Sequence, residues 1–402
     1  MSAIAATAAR AVREARWIAI LGIALGILAF WLTLPPWNVD LAAAPAFVAM
    51  LGVAAGIWAA SRDERKLGFW AIGVSTGCLF ASLWIQGRDD ATIEGIVTVG
   101  LFAAMLRFAT PLVFAGIGGI LSERSGVINI GLEGMVLVGA FFGIWAAAWS
   151  GSWAIGLGFA MLAGGLLALM HAFASIHLRA DQIVSGTAVN LLAIGITGYL
   201  FRDIYGPQGT PSNIDRIPDV HLSFLRDVPL VGGFVGPVFG QLSLMIWLML
   251  ALVAVAWIFF FKTPYGLRLR SVGEHPKAAD TVGISVYRIR YMAVVGSGML
   301  AALGGAYLSI GFTGTFNENM SAGRGFIALA AVIFGKWNPL GVFGACLLFG
   351  FGFALSIPLQ READLSANLI STLPYLLTLI ALVGVIGRSV GPAAVGRPYT
   401  KQ

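Results

Sequence analysis

The sequence predicts an all-α, polytopic integral membrane protein with about ten to twelve transmembrane helices. Of its 402 residues, 58% are hydrophobic and only 11% are charged, against roughly 25% charged in an ordinary soluble domain. Apolar runs of about 20 residues recur along almost the whole chain, and each is long enough at about 1.5 Å per residue to cross a hydrocarbon core about 30 Å thick. These observations exclude a soluble globular protein.

The apolar segments predict the individual helices in chain order. The first follows a cluster of arginines and could also be a signal peptide, but about 18 apolar residues are long for that role and a second span follows directly. The segment at 325–335 is too short to span unaided, so we expect a half-helix or a re-entrant element there. The predicted segments are 17–34, 41–60, 68–85, 93–121, 132–149, 153–176, 182–200, 242–261, 291–311, 325–335, 340–357 and 367–386.

Basic residues predict the orientation in the membrane. The net charge is +6, and in a membrane protein such a balance mainly reports which loops face the cytoplasm. With the amino terminus inside, the basic loops 61–66 and 262–290 and the carboxyl-terminal tail fall on the cytoplasmic side, so both termini are expected to be cytoplasmic. The segment 201–241 is then outside and is expected to form a lid or a docking surface.

The loop 262–290, called the basic loop below, contains a predicted short helix. Pro276 suits the first helical position and Gly283 suits the C-cap. Between them, a small apolar face is predicted from Ala278, Ala279 and Val282. Such a helix would dock into a groove of another protein, and an interfacial connector without a partner is the alternative.

Four segments resemble one protein family. The basic loop has the spacing of the cytoplasmic EAA-type loop of ABC importer permeases, although Lys277 stands where that motif has its Glu. The segments are ATPLVFAGIGGILSERSGVINIGLEGMVLVGA at 109–140, DQIVSGTAVNLL at 181–192, GLRLRSVGEHPKAADTVGI at 266–284 and GRGFIALAAVIFGKWNP at 323–339. Together they are similar to the branched-chain amino acid, simple sugar and nucleoside permeases, in particular the nucleoside and simple-sugar branch that works with basic-membrane-protein-type receptors.

The resemblance implies a function and a set of partners. The chain would be the transmembrane permease subunit of an ATP-driven ABC importer in the bacterial plasma (inner) membrane, moving a nucleoside or a simple sugar by alternating access. Its partners would be an ABC ATPase subunit, a second and non-identical permease subunit and an extracytoplasmic substrate-binding protein, with no nucleic acid. ATP would be used by the ATPase, and this chain would bind no cofactor. The residues expected to couple to the ATPase are Arg268, Arg270, Gly273, Glu274, Pro276, Ala278, Ala279 and Gly283.

The same resemblance predicts the domain organisation. It covers about 93–386, so residues 93–390 are expected to form the permease core, including the basic loop. Residues 1–92 would then be an amino-terminal extension with about three transmembrane helices, and 391–402 a cytoplasmic tail.

An internal repeat points to a solute path. Gly126 and Asn129 are echoed by Gly314 and Asn317, so both copies end in G-x-x-N, although chance matching of common glycines is the alternative. Gly-interrupted apolar segments at corresponding positions of two halves indicate a site near the bilayer midplane, and polar groups there would be costly to expose to lipid. The residues expected to border the path are Asn129, Glu133, Asn190, Asn317 and Glu318. Stabilisation of a helix start by Glu133, and hydrogen bonds between helices for the asparagines, remain alternatives.

Signatures of an enzyme are weak. The sequence lacks G-x-x-x-x-G-K-[ST], so ATP hydrolysis is expected in a separate subunit. The four His residues include no pair at metal-ligand spacing, and Cys78 and Cys346 lie in apolar runs, so we predict no catalytic residue and no metal site. The second candidate class is an ion-coupled secondary transporter of a small polar solute, with Glu133 or Glu318 as its titrating group.

Overall fold

The computed structural model describes residues 2–31, 43–62, 65–86, 98–211, 213–228, 232–362, 372 and 389–401. Within these ranges the chain is largely helical, and seven helices are long and apolar enough to cross a membrane. The predicted all-α polytopic class is therefore confirmed. The chain divides into two compact units, Met1–Leu101 with Pro358–Asp364, and Phe102–Ile357 with Leu365–Gln402.

The described helices are α1 (Ser2–Trp31), α2 (Ala43–Ala60), α3 (Arg65–Gln86), α4 (Val99–Glu123), α5 (Leu132–Ser150), α6 (Trp153–Ala172), α7 (Gln182–Tyr205), α8 (Gly232–Phe239), α9 (Leu244–Lys262), α10 (Pro264–Glu274), α11 (Pro276–Thr281), α12 (Val286–Ala306), α13 (Arg324–Phe334) and α14 (Pro339–Glu362). Short π-helical segments extend two of them, Phe173–His177 after α6 and Tyr307–Thr313 after α12. Two short strands, β1 (Asp219–His221) and β2 (Gln241–Ser243), pair antiparallel with Val220 opposite Leu242. The membrane-spanning candidates are α4, α5, α6, α7, α9, α12 and α14, some of them with adjoining turns.

In the first unit, α1, α2 and α3 pack through small residues. The Ser75 hydroxyl donates a hydrogen bond of 3.0 Å to the Gly22 carbonyl of α1. A Cβ atom on Gly22 would lie 2.9 Å from the Gly52 carbonyl oxygen, and one on Gly26 would lie 2.7 Å from Ser75 Cα. Since larger side chains would not fit, glycine is what allows these apolar helices to approach so closely.

In the second unit, α12 packs against both α5 and α6. The contacts again involve glycine: Gly139 lies against the backbone of Ala302, and Gly305 lies against the backbone of Val136. Around these contacts a buried apolar cluster joins side chains of α5, α6 and α12, among them Met135. This helix trio forms the interior of the unit and holds the polar groups described below.

Local sequence determines several helix ends. Asp181 caps α7, because its carboxylate accepts hydrogen bonds from the Ile183 and Val184 amides at 2.8 and 3.0 Å. Thr263 caps α10 through its hydroxyl, which accepts from the Gly266 amide at 3.1 Å, and Pro264 occupies the first helical position. Both ends follow the patterns that sequence reasoning uses.

Some predicted boundaries are wrong. The basic loop is shorter than predicted, because α12 begins at Val286 rather than at 291, and Val286 and Arg290 are both buried. Leu242 belongs to strand β2, so the helix predicted at 242–261 starts at Leu244. The short segment predicted at 325–335 is the eleven-residue helix α13, and its re-entrant character stays a prediction. The helix predicted at 367–386 lies outside the described residues, apart from residue 372.

Candidate functional site: a buried polar segment and a loop fastened by the tail

Between α4 and α5 the chain is not helical, and side chains from other helices supply its hydrogen-bond partners. The Ile128 amide donates to Gln182 Oε1 at 2.7 Å, and its carbonyl accepts from His171 Nε2 at 3.0 Å. Asn190 Nδ2 donates to the Ile130 carbonyl at 3.0 Å. Unwound backbone inside a membrane protein must find such partners, because no lipid group can provide them. Residues 124–131 are called the unwound segment below.

Asn129 lies within this segment and is fully buried. Its Nδ2 donates to the Ser297 hydroxyl of α12 at 3.0 Å. Its Oδ1 has no hydrogen-bond partner among the described residues. Sequence reasoning missed Gln182, His171 and Ser297 as partners of the segment, although polar residues inside apolar spans were the available signal.

Glu133 joins the starts of two helices. It lies in the first turn of α5 and is 6% exposed. Its two carboxylate oxygens accept from the Gly323 and Gly325 amides at 2.7 and 2.6 Å, and these amides lie at the start of α13. The negative charge therefore satisfies amides that no helical carbonyl can reach, where the helix dipole is positive. The alternative role predicted for Glu133, stabilisation of a helix start, therefore applies to α13 as well as to α5.

Asn190 completes this arrangement. Besides donating to the unwound segment, it accepts from the Gly134 amide at 2.8 Å through Oδ1. Asn129, Glu133 and Asn190 are thus brought together around the start of α5.

The other two predicted path residues lie elsewhere. Asn317 is exposed, and Glu318 forms an ion pair of 3.1 Å with Arg202, whose side chain is 72% exposed. Gly126 and Gly314 both have a positive φ, 94° and 74°, so the two G-x-x-N copies share a left-handed glycine. They differ in the asparagine, which is buried in one copy and exposed in the other. That all five residues border one path stays a prediction.

The basic loop folds into the two helices α10 and α11. Ala279 is buried among Val272, Val286 and Tyr399, whereas Ala278 and Val282 are exposed. The prediction that Ala279 shares an exposed apolar face with Ala278 and Val282 is therefore wrong. Its side chain is instead buried in an apolar cluster of its own chain. The C-cap position is also one residue off, since Val282 occupies it and Gly283 follows with a φ of 84°.

The other predicted coupling residues are spread over α10 and its end. The Arg268 guanidinium lies 5.8 Å from the Tyr265 ring centre, and that of Arg270 lies 5.2 Å from the Phe261 ring centre. Gly273 packs against the Arg124 backbone, and Glu274 accepts from the Ala393 amide at 3.1 Å. Pro276 begins α11.

The carboxyl-terminal tail, residues 389–401, fastens the basic loop to the membrane helices. The Ala394 amide donates to the Gly273 carbonyl at 2.9 Å, and the Gly396 amide donates to the Gly126 carbonyl at 3.2 Å. Gly273 of the basic loop and Gly126 of the unwound segment are thus linked through backbone hydrogen bonds to the tail, whose residues 393–396 form a turn. The loop and the unwound segment consequently share a common anchor.

The Arg290 side chain lies where the tail meets the unwound segment. It is 1% exposed, and its guanidinium donates to the Ser125 carbonyl at 3.2 Å and to the Arg397 carbonyl at 3.1 Å. Sequence reasoning treated it as one of the loop charges that report topology. A buried arginine needs such partners to offset the loss of its hydration.

A second contact lies where α13 ends. Trp337 has a φ of 51°, which is unusual for a residue other than glycine. Its indole N–H donates to Glu123, and its carbonyl accepts from Arg124 at 3.0 and 3.2 Å. Burial lowers the pKa of Arg124 from its ordinary value, and the nearby Glu274 carboxylate opposes that shift. These bonds hold the end of α13 against the end of α4.

The arrangement can position helices and carry polar groups inside a membrane. Within the described ranges, no three His, Cys, Asp or Glu side chains lie close enough together to hold a metal ion. A polytopic helical bundle with a buried unwound segment, whose backbone groups bond to side chains of neighbouring helices, is typical of membrane transport proteins.

Comparison with known proteins identifies the family. Residues 101–386 match the model of the branched-chain amino acid transport system permease component, so the chain belongs to this family. It is 44% identical over 318 residues to the guanosine ABC transporter permease protein NupQ of Bacillus subtilis, covering 74% of this chain and 95% of that one. It is 40% identical to the nucleoside ABC transporter permease protein NupC of Lactococcus lactis, covering 75% and 96%. No solved structure matches the chain.

A third relative is named for a sugar. The putative glucose ABC transporter permease protein TsgC13 of Haloferax volcanii is 34% identical, covering 75% of this chain and 98% of that protein. The predicted family is thereby confirmed, and the chain is a multi-pass membrane translocation component rather than an enzyme. As an ABC permease it works, in general terms, with an ATPase and a substrate-binding protein.

Proposed function

We propose that this chain forms part of the transmembrane path of an ATP-driven importer of nucleosides. The observation that carries the proposal is its identity of 44% and 40% with two permeases named for guanosine and for nucleosides, over nearly their whole lengths. Simple sugars are the second candidate class, because a relative named for glucose is 34% identical. Both classes present hydroxyl groups, which asparagine side chains can donate to or accept from.

The assembly we propose has four kinds of component. The basic loop and both termini face the cytoplasm of a bacterial plasma (inner) membrane, as the excess of Lys and Arg in that loop favours. An ABC ATPase binds the loop, a second and non-identical permease completes the path, and an extracytoplasmic substrate-binding protein delivers the solute. ATP is hydrolysed by the ATPase alone, and alternating access moves the solute.

Helix α11 is the proposed ATPase contact. Ala278 of this helix and Val282 at its C-cap are exposed and border a groove of about 570 Å³ between α10 and α11, with Leu267 on the opposite wall. The groove is almost entirely apolar at its surface, which suits an inserted side chain of a partner. Because the tail bonds the end of α10 to Gly126, movement of the loop would be passed to the unwound segment.

The buried unwound segment is the proposed border of the path. Asn129 Oδ1 is a buried acceptor without a partner among the described residues, so a hydroxyl or amino group of a passing solute could donate to it. Asn190 and Glu133 position the segment rather than offer free groups, since their polar atoms already bond to backbone amides and carbonyls. Asn317 and Glu318 are proposed to lie at the outer mouth.

Transport by the assembled complex tests the solute and the energy source. The chain, purified with its ATPase and second permease, is placed in proteoliposomes with the binding protein and given guanosine or glucose. We expect guanosine uptake that requires ATP and is unchanged by collapse of proton and sodium gradients. Uptake driven by an ion gradient without ATP would overturn the proposal in favour of a secondary transporter.

Two neighbouring alanines test the ATPase contact. Ala278→Trp places a large side chain on the exposed side of α11, so we expect loss of ATPase co-purification and of uptake with an unchanged melting temperature. Ala279→Trp is the matched variant on the buried side, and we expect it to lower the melting temperature instead, because it overfills the loop core. Normal ATPase retention in a folded Ala278→Trp protein would contradict the assigned contact.

A further inference from the structure

A cavity of about 690 Å³ lies between the end of α9, helix α10 and the start of α12. One wall is apolar and includes Phe259, Leu269 and Met292. Met292 is 69% exposed, although it is a large apolar side chain in the first turns of a membrane-spanning candidate. The cavity shares Arg268 and Val282 with the groove proposed for the ATPase, but the proposed function assigns no ligand to it.

The cavity lies at the expected level of the membrane surface. Phe259 lies in the last turn of α9, which ends at Lys262, and Met292 lies near the start of α12 at Val286. Both helices are candidates to span the membrane. The cavity is therefore at the level where the two helices leave the hydrocarbon, so its apolar wall adjoins the acyl chains and its mouth adjoins the headgroups.

The charged residues that line the cavity are both basic. Arg268 of α10 and Arg288 of α12 both line it and are exposed, and none of its described lining residues is acidic. Neither arginine forms an ion pair with a residue that the structure describes. Two cations above an apolar wall complement a ligand that has an anionic end and a long apolar end.

We propose that this cavity binds one anionic phospholipid, with its phosphate between Arg268 and Arg288 and its acyl chains along Phe259 and Met292. A free phosphate would leave the apolar wall uncovered, and a neutral lipid would leave both guanidinium groups without a counter-charge. The bound lipid would bridge α10 of the basic loop to α12 of the membrane bundle. It would thus stabilise the position of the loop relative to the membrane helices.

Lipid binding to the purified, full-length protein in detergent tests the proposal. Phosphatidylglycerol or phosphatidylcholine is titrated, and bound lipid is counted by native mass spectrometry. We expect wild-type protein to bind phosphatidylglycerol at least tenfold more tightly than phosphatidylcholine. Each of Arg268→Gln and Arg288→Gln should weaken phosphatidylglycerol binding about fivefold, and the double variant about 25-fold.

Two further variants separate charge from shape. Lys277→Gln is the matched control, because Lys277 is an exposed cation of the same loop outside the cavity, and binding should stay within twofold of wild type. Met292→Trp fills the cavity from its exposed side and keeps both arginines, so binding should fall although the charge is unchanged. Thermal unfolding is recorded for every variant to confirm that it is folded.

Several results would overturn the proposal. Equal binding of phosphatidylglycerol by wild type and the double arginine variant would exclude the two guanidinium groups as its site. Displacement of the lipid by inorganic phosphate at the same concentration would show a site for a free anion. Loss of the lipid when the ATPase and second permease assemble would show that a protein partner fills the cavity. None of these results bears on which solute is transported.

Discussion

The replacement of Glu133 by Gln tests how the start of α13 is held. The two side chains have nearly the same shape, but Gln has one acceptor oxygen where Glu133 has two that bond to the Gly323 and Gly325 amides. One amide would therefore face the NH₂ group of Gln and lose its partner. The remaining hydrogen bond would change from charged to neutral.

The expected cost follows from these two changes. A hydrogen bond to a charged group contributes about 1.5–3 kcal/mol and a neutral one about 1 kcal/mol. Losing one bond and weakening the other in a buried site gives about 3 kcal/mol, which corresponds to about a hundredfold in the opening equilibrium of this helix start.

Hydrogen–deuterium exchange of the purified protein measures this opening. In Glu133→Gln we expect peptides covering 323–329 to exchange about a hundredfold faster, while peptides of α9 keep the wild-type rate. Glu318→Gln is the control, because Glu318 is half exposed and its ion pair lies at the surface, so exchange in 323–329 should stay unchanged. Equal exchange in wild type and Glu133→Gln would refute the assigned role of this carboxylate.

Three further predictions address the packing, the tail and the surface. Gly305→Ala would press a methyl group against the backbone of α5, so we expect about 2 kcal/mol of destabilisation in thermal unfolding. Gly344→Ala meets open space within helix α14 and should raise stability by up to about 1 kcal/mol, because alanine has the higher helix propensity. Equal melting of the two variants would contradict the close approach. Arg290→Met removes the hydrogen bonds to two backbone carbonyls and should release the tail to limited proteolysis, with a loss of about 3 kcal/mol, and a protease-resistant tail would argue against its anchoring. Arg202→Ala breaks only the exposed ion pair with Glu318, so stability should change by less than about 1 kcal/mol, and a larger loss would show that this pair is structural.

Much of the architecture follows from the sequence alone. Apolar runs of the right length and the scarcity of charges require helices in a membrane, because only a closed hydrogen-bond pattern is stable there. Caps such as Asp181 and Thr263 depend on local sequence, since their partners lie within one helical turn. The family resemblance likewise rested on contiguous segments, and the family match confirmed it.

The roles of the polar residues depended on the tertiary structure. Glu133 was recognised as a costly intramembrane charge, but its partner Gly323 lies 190 residues along the chain. The spacing of Ala278 and Ala279 predicted one apolar face, whereas the surrounding helices bury one of them and expose the other.

Arg290 shows most clearly the difference between what the sequence predicts and what the tertiary structure decides. In the sequence it is one of several basic residues of a loop, and hydropathy rules assign such residues to the membrane surface. In the structure it is buried and joins the unwound segment to the tail at Arg397, 107 residues away. Hydropathy and capping depend on residues within a few positions of each other, so the sequence alone determined the helices and the class. Which polar groups meet depends on how distant helices pack, and only the tertiary structure decided that.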